Sequence, residues 1–133
     1  MMNYNALIKK IDWIDREGQE ADILFEISGK VFWAFCHPCD FEEGETATVC
    51  FNFIEKDLPE ETFWEENKSN KKGIVSLENI RGYYNCYGQI KNIQPVMIDC
   101  GTITFSNGNW INDTEAIGKY VYFTISRLDI SRI

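Results

Sequence analysis

Apolar and polar residues alternate along much of the chain with a period of two, the pattern of a strand that buries one face. In residues 22–27, Ile23, Phe25 and Ile27 fall on one side, and acidic residues fall on the other. The alternation recurs in residues 49–53, 88–93, 96–100, 102–105 and 120–126. Short segments rich in Gly, Asn and Asp separate these runs, as turns do. The pattern predicts an all-β, mainly antiparallel fold, either a small barrel or two packed sheets.

Two segments depart from simple alternation. Residues 31–36 (Val-Phe-Trp-Ala-Phe-Cys) are apolar on both faces, which is typical of a strand that is covered on both sides or packs against a partner. The apolar residues between Tyr4 and Ile14 fit either a strand or a helix that ends at Gly18. We favour a strand over residues 8–14, because the turn that follows would then form a hairpin with residues 21–27.

The middle of the chain carries a better helix signal. Asp57 precedes an early proline, Pro59, and a Glu-Glu pair follows where the positive end of a helix favours acids. Two lysines and a glycine at positions 71–73 are typical of a helix end. We therefore predict a short helix near residues 59–67, inserted between two β-rich regions.

The length of 133 residues predicts a single domain, residues 1–133. Two regions, about 8–54 and 83–130, each show a hairpin-like pair, a loop and a strand led by glycine. They are interpreted either as related halves joined by the acidic helical segment or as a generic succession of strands. The longest apolar runs fall far below the roughly 18 residues of a membrane-spanning helix. The N-terminus lacks the basic and apolar regions of a signal peptide, so we expect a cytoplasmic protein.

The charge is strongly acidic, with 21 Asp and Glu against 13 Lys and Arg and a net charge of −8. Residues 55–66 hold six acids and one base around Phe63 and Trp64. Such a run is often only the solvated face of a helix. It is also the composition of a site for a basic protein, where charge speeds the encounter and the aromatic residues supply affinity. The predicted partner-binding residues are Glu60, Glu61, Phe63, Trp64, Glu65 and Glu66.

A second candidate surface is aromatic. Three tyrosines at positions 83, 84 and 87 have Arg81 and Lys91 nearby. Aromatic residues interleaved with bases on a strand can stack nucleobases, as they do on oligonucleotide/oligosaccharide-binding barrels. The alternative nucleic-acid-binding residues are Tyr83, Tyr84, Tyr87 and Lys91. A net charge of −8 repels a polyanion, so this function is the less favoured of the two.

Cys36 and Cys39 form a Cys-x-x-Cys motif after the apolar strand, which resembles the active site of thioredoxin-like oxidoreductases. The residues that follow carry no helical apolar period, and their acids would raise a thiol pKa. His37 is the sole histidine, and a structural zinc site usually has two close-spaced pairs of ligands. We interpret the motif as a turn at a strand end, with thiol-redox or zinc chemistry less favoured.

Motifs of catalysis do not otherwise occur. The sequence has no phosphate-binding glycine loop, no Gly-x-Ser-x-Gly and no His-Glu-x-x-His. Asp99 lies between apolar residues, so it either faces outward or needs a partner such as Arg81 or Arg127. We predict a protein that is not an enzyme, with no catalytic residues, no metal and no cofactor.

Several short motifs resemble those of small, uncharacterised bacterial proteins. They are Trp13-Ile-Asp15, Phe35-Cys-His-Pro-Cys-Asp-Phe41 followed by Gly44, and Ile117-Gly-Lys-Tyr-Val121 to Ser126-Arg-Leu-Asp-Ile130. The resemblance implies an all-β barrel with oligonucleotide/oligosaccharide-binding (OB)-like character, and it assigns no activity to any residue.

These patterns lead to one functional hypothesis and one alternative. The first is a non-enzymatic cytoplasmic protein whose acidic surface binds a basic protein partner, as an immunity-type inhibitor of a toxin would. The alternative is an OB-like module that binds single-stranded nucleic acid.

Overall fold

The computed structural model describes residues 2–55, 65–77, 79–106 and 110–133. Among these residues it contains ten strands and one 3-10 turn at Thr114–Ala116, which confirms the all-β, mainly antiparallel fold. The strands are β1 (Tyr4–Asp15), β2 (Glu20–Ile27), β3 (Lys30–Cys36), β4 (Thr46–Glu55), β5 (Glu65–Glu66), β6 (Gly73–Ser76), β7 (Tyr84–Ile93), β8 (Val96–Asp99), β9 (Thr104–Ser106) and β10 (Tyr120–Arg132).

The N-terminal segment is a strand, as predicted. β1 runs antiparallel to β2, with Ile8 opposite Phe25 and Ile11 opposite Ile23. The side chains of Ile8, Ile23 and Phe25 are fully buried. A strand prevails over the helix because the tight turn returns β2 alongside β1, where the apolar faces of both strands enter the same core.

The first four strands and the second half of β10 form what we call the N-terminal section of the sheet. β1 lies between β2 and β4, β3 pairs with β2, and β4 pairs with the second half of β10. β3 also contacts β10 through one parallel pair, Phe35 and Asp129. The strand pairings therefore form a closed ring through β3 and β10. The predicted small barrel is nevertheless not a clean one, because a single residue pair closes it and the sheet continues beyond β10 to β7, β8 and β9.

The remaining strands and the first half of β10 form the C-terminal section. β10 pairs with β7 over Tyr120–Ile125, and β7 then pairs with β6 and β8, with β9 beyond β8. β5 pairs with β10 through Val121 and Tyr122. β10 thus belongs to both sections, and it joins the regions predicted as two halves.

The burial pattern of β10 shifts by one residue between its two halves. Val121, Phe123 and Ile125 are buried in the first half, and Leu128 and Ile130 are buried in the second. Strict alternation would have turned the second half outward. The shift near Arg127 lets both halves face one core.

Aromatic side chains join the two sections within that core. Phe53 of β4 packs against Phe105 of β9 and Phe123 of β10, with ring centroids 5.2 and 5.9 Å apart. Such edge-to-face and tilted pairs are favourable beyond the area they bury. The two sections therefore share one buried cluster.

β7 approaches β8 closely at Gly88. A methyl group at this position would lie 2.6 Å from the carbonyl oxygen of Asp99 and 2.7 Å from Cγ2 of Ile98. These distances are well inside van der Waals contact. Glycine is therefore required here by the close approach of the neighbouring strand.

Most of the predicted helix near residues 59–67, namely residues 59–64, lies outside the described residues. Glu65 and Glu66, at the end of that range, form the short strand β5, and Asn67 follows it with its N–H donating to the carbonyl of Tyr120.

The described part of the chain contains no helix that is long and apolar enough to cross a membrane.

Candidate binding surfaces

The predicted partner-binding surface is only partly within the described residues. Glu60, Glu61, Phe63 and Trp64 lie outside them, whereas Glu65 and Glu66 pair with Tyr122 and Val121 of β10. The acidic segment is therefore joined to the C-terminal section at an edge of β10.

The predicted aromatic surface is divided between the core and the outer face of β7. Tyr84 is buried, with 4% of its surface exposed. Its hydroxyl accepts the N–H of Trp33 at 2.8 Å and donates to the carbonyl of Trp33 at 2.9 Å. Burial raises the pKa of Tyr84 to about 12. Tyr84 therefore completes the hydrogen bonding of β3, and its ring does not contribute to an outer face.

Tyr87 lies on the outer face of the C-terminal section. Its ring packs against that of Tyr122 on β10, with centroids 5.7 Å apart. The ammonium of Lys71 lies 3.9 Å from the Tyr87 centroid. Lys91, further along β7, is exposed, and Tyr83, just before the strand, is half-buried. The structure thus brings together Tyr87, Tyr122 and Lys71 rather than the predicted set.

A broad crevice opens beside this face, between the turn after β5 and the start of β10. Its volume is about 730 Å³, and Lys68 and Lys119 line it together with Tyr120. Asn67 at its base is buried; its amide donates to the carbonyl of Lys71 and accepts from the hydroxyl of Ser69. Because its polar atoms are paired, Asn67 fixes the turn and is not an unsatisfied ligand group.

The outer face of the N-terminal section carries aromatic rings covered by arginine. The guanidinium of Arg81 lies 3.8 Å from the centroid of Trp33. It also pairs with Asp12 of β1 and, at 3.5 Å, with Asp22 of β2. The hydrogen bond from Arg81 lowers the pKa of Asp12. Arg81 thus connects the loop before β7 to two strands of the N-terminal section.

A similar arrangement lies at the junction of β3 and β10. Arg127 lies 4.6 Å from the centroid of Phe35 and binds Asp129 through two hydrogen bonds of 2.7 and 2.9 Å. This two-point geometry is the strong form of a guanidinium–carboxylate pair. A cavity of about 260 Å³ adjoins it, lined by Phe35, His37, Asn52, Arg127, Asp129, Ile130 and Ser131.

Both remaining arginines also lie over rings. Arg132 covers Phe41 at 4.8 Å and pairs with Glu45 at 2.6 Å and Asp40 at 3.2 Å. Arg16 lies 5.3 Å from the Trp13 centroid. All four arginines therefore contact aromatic rings of the chain itself, and three of them also pair with its carboxylates.

Asp99 faces outward, and its partner is Lys72 at 2.7 Å rather than Arg81 or Arg127. Partial burial of Asp99 raises its pKa, but hydrogen bonds from Lys72 and from the backbone of Gly101 outweigh that effect, so the pKa is lowered overall. The ion pair fixes the segment before β6 against β8.

The Cys-x-x-Cys motif is buried at the end of β3. Cys36 and Cys39 are 1% and 2% exposed, and all five cysteines are free thiols. Burial raises the pKa of Cys36, and the neighbouring Cys39 and Asp40 raise it further. Such a thiol is poorly ionised and therefore weakly nucleophilic. Among the described residues no group of three or more His, Cys, Asp or Glu side chains is placed to hold a metal ion.

Sequence reasoning missed the arginine–aromatic pairs. Arg81 lies 48 positions after Trp33 in the chain, so no local motif links them. The available signal was the double-sided apolar character of residues 31–36, because Trp33 and Phe35 on the outer side required a cover.

Comparison with known proteins gives no match: the chain matches no protein-family model, no curated protein and no solved structure.

Proposed function

We propose that this protein is a non-enzymatic cytoplasmic binding protein whose acidic surface holds a basic protein partner. The strongest support for this proposal comes from the contacts that its four arginines make. All four contact the chain's own aromatic rings, and three are paired with its own carboxylates. Three of the four arginines are thus neutralised by acids of the same chain, and the surplus of acids, a net charge of −8, favours cationic partners.

The partner-binding residues in this proposal are Glu60, Glu61, Phe63, Trp64, Glu65 and Glu66. Like charges concentrated on one segment accelerate encounter with a surface of opposite charge, and buried aromatic residues supply affinity after contact. A small acidic protein of this kind suits an immunity-type inhibitor, which would cover the cationic site of a toxin such as a nuclease.

A pull-down from native cell extract at low and high salt first identifies the partner. We expect a basic protein that salt releases, because surface charge pairs are screened. Nucleic acid recovered without protein would contradict the proposal, and so would a protein whose capture is independent of salt.

Association kinetics with the captured partner then test the site. Replacing Glu60, Glu61, Glu65 and Glu66 by Gln is expected to slow association about tenfold or more at low salt. A matched pair of variants controls for net charge: Glu60→Gln/Glu61→Gln against Glu17→Gln/Glu20→Gln. The first pair should slow association more than the second. Equal effects would show that overall charge acts without this surface.

The OB-like character predicted from the sequence is part of the proposal. Its support is the cyclic order β1–β2–β3–β10–β4, in which β3 and β10 meet in parallel and the other pairs are antiparallel. Five strands in a partly open barrel are the elements of that fold. The resemblance to small bacterial OB-like proteins is proposed on the same basis.

Single-stranded nucleic acid is the second candidate ligand. The pairing of Tyr87 with Tyr122 on an outer face, beside Lys71 and with Lys91 on the same strand, favours it. A fluorescence titration with a twelve-nucleotide oligo(dT) would test whether the protein binds single-stranded nucleic acid. Binding that falls steeply with salt and is weakened by Tyr87→Ala, but not by Ile14→Ala, would support this alternative.

A further inference from the structure

A groove lies between the start of β3, the strand β6 and the turn that joins β8 to β9. Its volume is about 450 Å³, and ligand pockets commonly have volumes of about 300–1,000 Å³. One wall is a segment of β3, the opposite wall is β6, and the turn forms a third side. The lining residues are Lys30, Phe32, Lys72, Gly73, Ile74, Val75, Cys100, Gly101 and Thr102.

The backbone of Val31 on β3 points away from β2. Ile27 of β2 and Lys30 of β3 are paired across a two-residue turn, residues 28–29, in which both φ angles are positive. In a hairpin of this kind the pair next to the turn shares hydrogen bonds, and the backbone groups of the following residue face the other way. The N–H and carbonyl of Val31 therefore lie on the side of β3 that β2 leaves open.

A contact further along β3 fixes the same direction. Trp33, two residues after Val31, has both of its backbone groups bound by the hydroxyl of Tyr84, at 2.8 and 2.9 Å, and beyond it β3 meets β10. No other described strand pairs with this side of β3. The edge is therefore covered from Trp33 onward and open at Val31, whose neighbours on both sides line the groove.

The opposite wall, β6, is also an open edge. Among the described strands, β6 pairs with β7 alone. The register of this pair continues to Leu77, whose N–H donates to the carbonyl of Tyr83 at 3.0 Å. Val75, two residues earlier, therefore directs its backbone groups to β7 as well. Ile74 is out of phase with both, so its N–H and carbonyl point away from β7 on the side of the groove.

The side chains beside the two edges are apolar on both faces of the sheet. Phe32 is 6% exposed, and Ile74 packs against the same core. Val31 and Val75 alternate with them along the strands and are 46% and 49% exposed. A strand placed between the edges would therefore have apolar neighbours on each of its faces.

Lysines dominate the charge around the groove. Within two positions of its lining residues the chain has three lysines and one acid. The acid, Asp99, is paired with Lys72 at 2.7 Å. Lys30 and Lys71 form no ion pair with a described residue, although Lys71 lies over the ring of Tyr87.

Acids further away leave this surplus in place. Glu26, which lies opposite Val31 on β2, is itself paired with Lys9 at 3.6 Å, and Glu78 lies outside the described residues. The groove therefore has two positive charges beside it that no described acid compensates, on a protein whose net charge is −8. This local reversal of sign favours an occupant with negative charge.

We propose that the groove receives an extended, acidic segment of a partner polypeptide, which lies as a strand between β3 and β6. The N–H and carbonyl groups of Val31 and Ile74 would bond to its backbone, as in other proteins that add a strand to an open sheet edge. Its alternate side chains would contact the apolar residues on either face, and an acid among them would pair with Lys30. This site is separate from the acidic segment, and the inference does not depend on the proposed function.

A phage-displayed library of random decapeptides, selected against the purified protein, is the probe. We expect some of the selected peptides to be rich in acids and β-branched residues and to dissociate at high salt. Selection of basic peptides alone would overturn the inference, although it would support the proposed function. Recovery of no binding peptide would count against both.

Two substitutions at Val31 separate the backbone contact from the side chain. Val31→Pro removes the N–H on the open side and leaves the bonds to β2 in place, so it should weaken binding of an acidic peptide about tenfold. Val31→Ala keeps the N–H and should weaken binding less than about threefold. Urea denaturation checks that both variants are folded. Equal binding by folded Val31→Pro and the parent protein would overturn strand addition.

Hydrogen exchange, followed by NMR on the parent protein, tests both edges without a variant. The bound peptide should slow exchange at the amides of Val31 and Ile74. The amides of Phe32 and Val75, which face β2 and β7, are internal references and should change little. Slower exchange at only one of the first two amides would contradict insertion between the edges.

The charge of the groove has its own test. Lys30→Gln should weaken binding of the acidic peptide about threefold and reduce its dependence on salt. Lys10→Gln, which removes another exposed lysine, is the matched control and should have less effect. Equal effects would show that overall charge, and not Lys30, attracts the peptide.

Sedimentation distinguishes a partner from a second copy of this chain. We expect the parent protein to be monomeric, with the groove open to the peptide. A dimer that Val31→Pro dissociates would show that a second copy fills the groove, and it would overturn the proposed occupant.

Discussion

The outer faces of the two sections of the sheet carry aromatic rings in different surroundings. On the N-terminal section, Trp33 and Phe35 lie beneath arginines whose carboxylate partners come from the sheet itself. On the C-terminal section, Tyr87 packs against Tyr122, and its nearest cation is a lysine. A tyrosine has a hydroxyl that water can solvate, whereas the phenylalanine ring has no polar atom.

The difference shows how each section is joined to the rest of the molecule. In the N-terminal section, long charged side chains such as Arg81 bridge elements distant in sequence. In the C-terminal section, strands approach closely enough to exclude any side chain at Gly88. We therefore expect the C-terminal section to be sensitive to added volume, and the N-terminal face to be sensitive to salt and pH.

The largest expected effect comes from volume. Gly88→Ala places a methyl group against the backbone of Asp99 and is expected to lower the free energy of unfolding by about 3 kcal/mol. Urea denaturation measures the change. Gly73→Ala is the matched control, because nothing lies within 4 Å of a methyl group there, and it should be neutral or slightly stabilising. Equal losses in the two variants would contradict the close-approach argument.

The hydroxyl of Tyr84 gives the next largest effect. Tyr84→Phe leaves the N–H and the carbonyl of Trp33 without their hydrogen-bond partner, and we expect a loss of about 2 kcal/mol in the free energy of unfolding. Tyr87→Phe, on the outer face, should change it by less than about 0.5 kcal/mol. If both variants unfold at the same urea concentration, Tyr84 does not secure the edge of β3.

Removal of Arg81 should have a smaller effect that depends on salt. Arg81→Ala uncovers Trp33 and leaves Asp12 and Asp22 close together, so unfolding should occur at lower urea than in the parent protein. The difference should shrink in 0.5 M NaCl, about the range in which surface charges are strongly screened. A difference that is independent of salt would show that Arg81 acts by packing alone.

The pH dependence of this ion pair is the smallest effect. The pKa of Asp12 is lower in the folded protein than in the unfolded chain, so the pair stabilises the fold above about pH 4, the ordinary pKa of an aspartate. That contribution is lost as pH falls through the lowered folded-state pKa. The stability difference between the parent protein and Arg81→Ala should therefore narrow below about pH 4. A constant difference down to pH 3 would contradict this assignment.

Strand positions were largely predictable from the sequence, because period-two burial is a local property. The hairpin of β1 and β2 followed from the turn that separates them, and residues 31–36 were correctly identified as a strand. Closure into a clean barrel was not predictable, since it depends on whether β3 meets β10 along its length, and the structure gives one pair. The one-residue shift near Arg127 has no local signal either.

The surfaces were less predictable than the strands. The sequence alone does not distinguish Tyr83, Tyr84 and Tyr87. Once the start of β7 is known, the alternation of the strand places the Tyr84 side chain in the core and the Tyr87 side chain on the outer face. The cover of Trp33 by Arg81 depends on a contact across 48 positions.

The sharing of β10 between the two sections has a consequence for synthesis on the ribosome. β10 is the last of the described strands to be made, and it supplies the central pairing partner of β4 on one side and of β7 on the other. Until Tyr120–Arg132 has left the exit tunnel, both sections lack that partner and expose strand edges. Folding of both sections should therefore wait for the synthesis of β10, and nascent chains truncated before β10 should be the forms that most need chaperones.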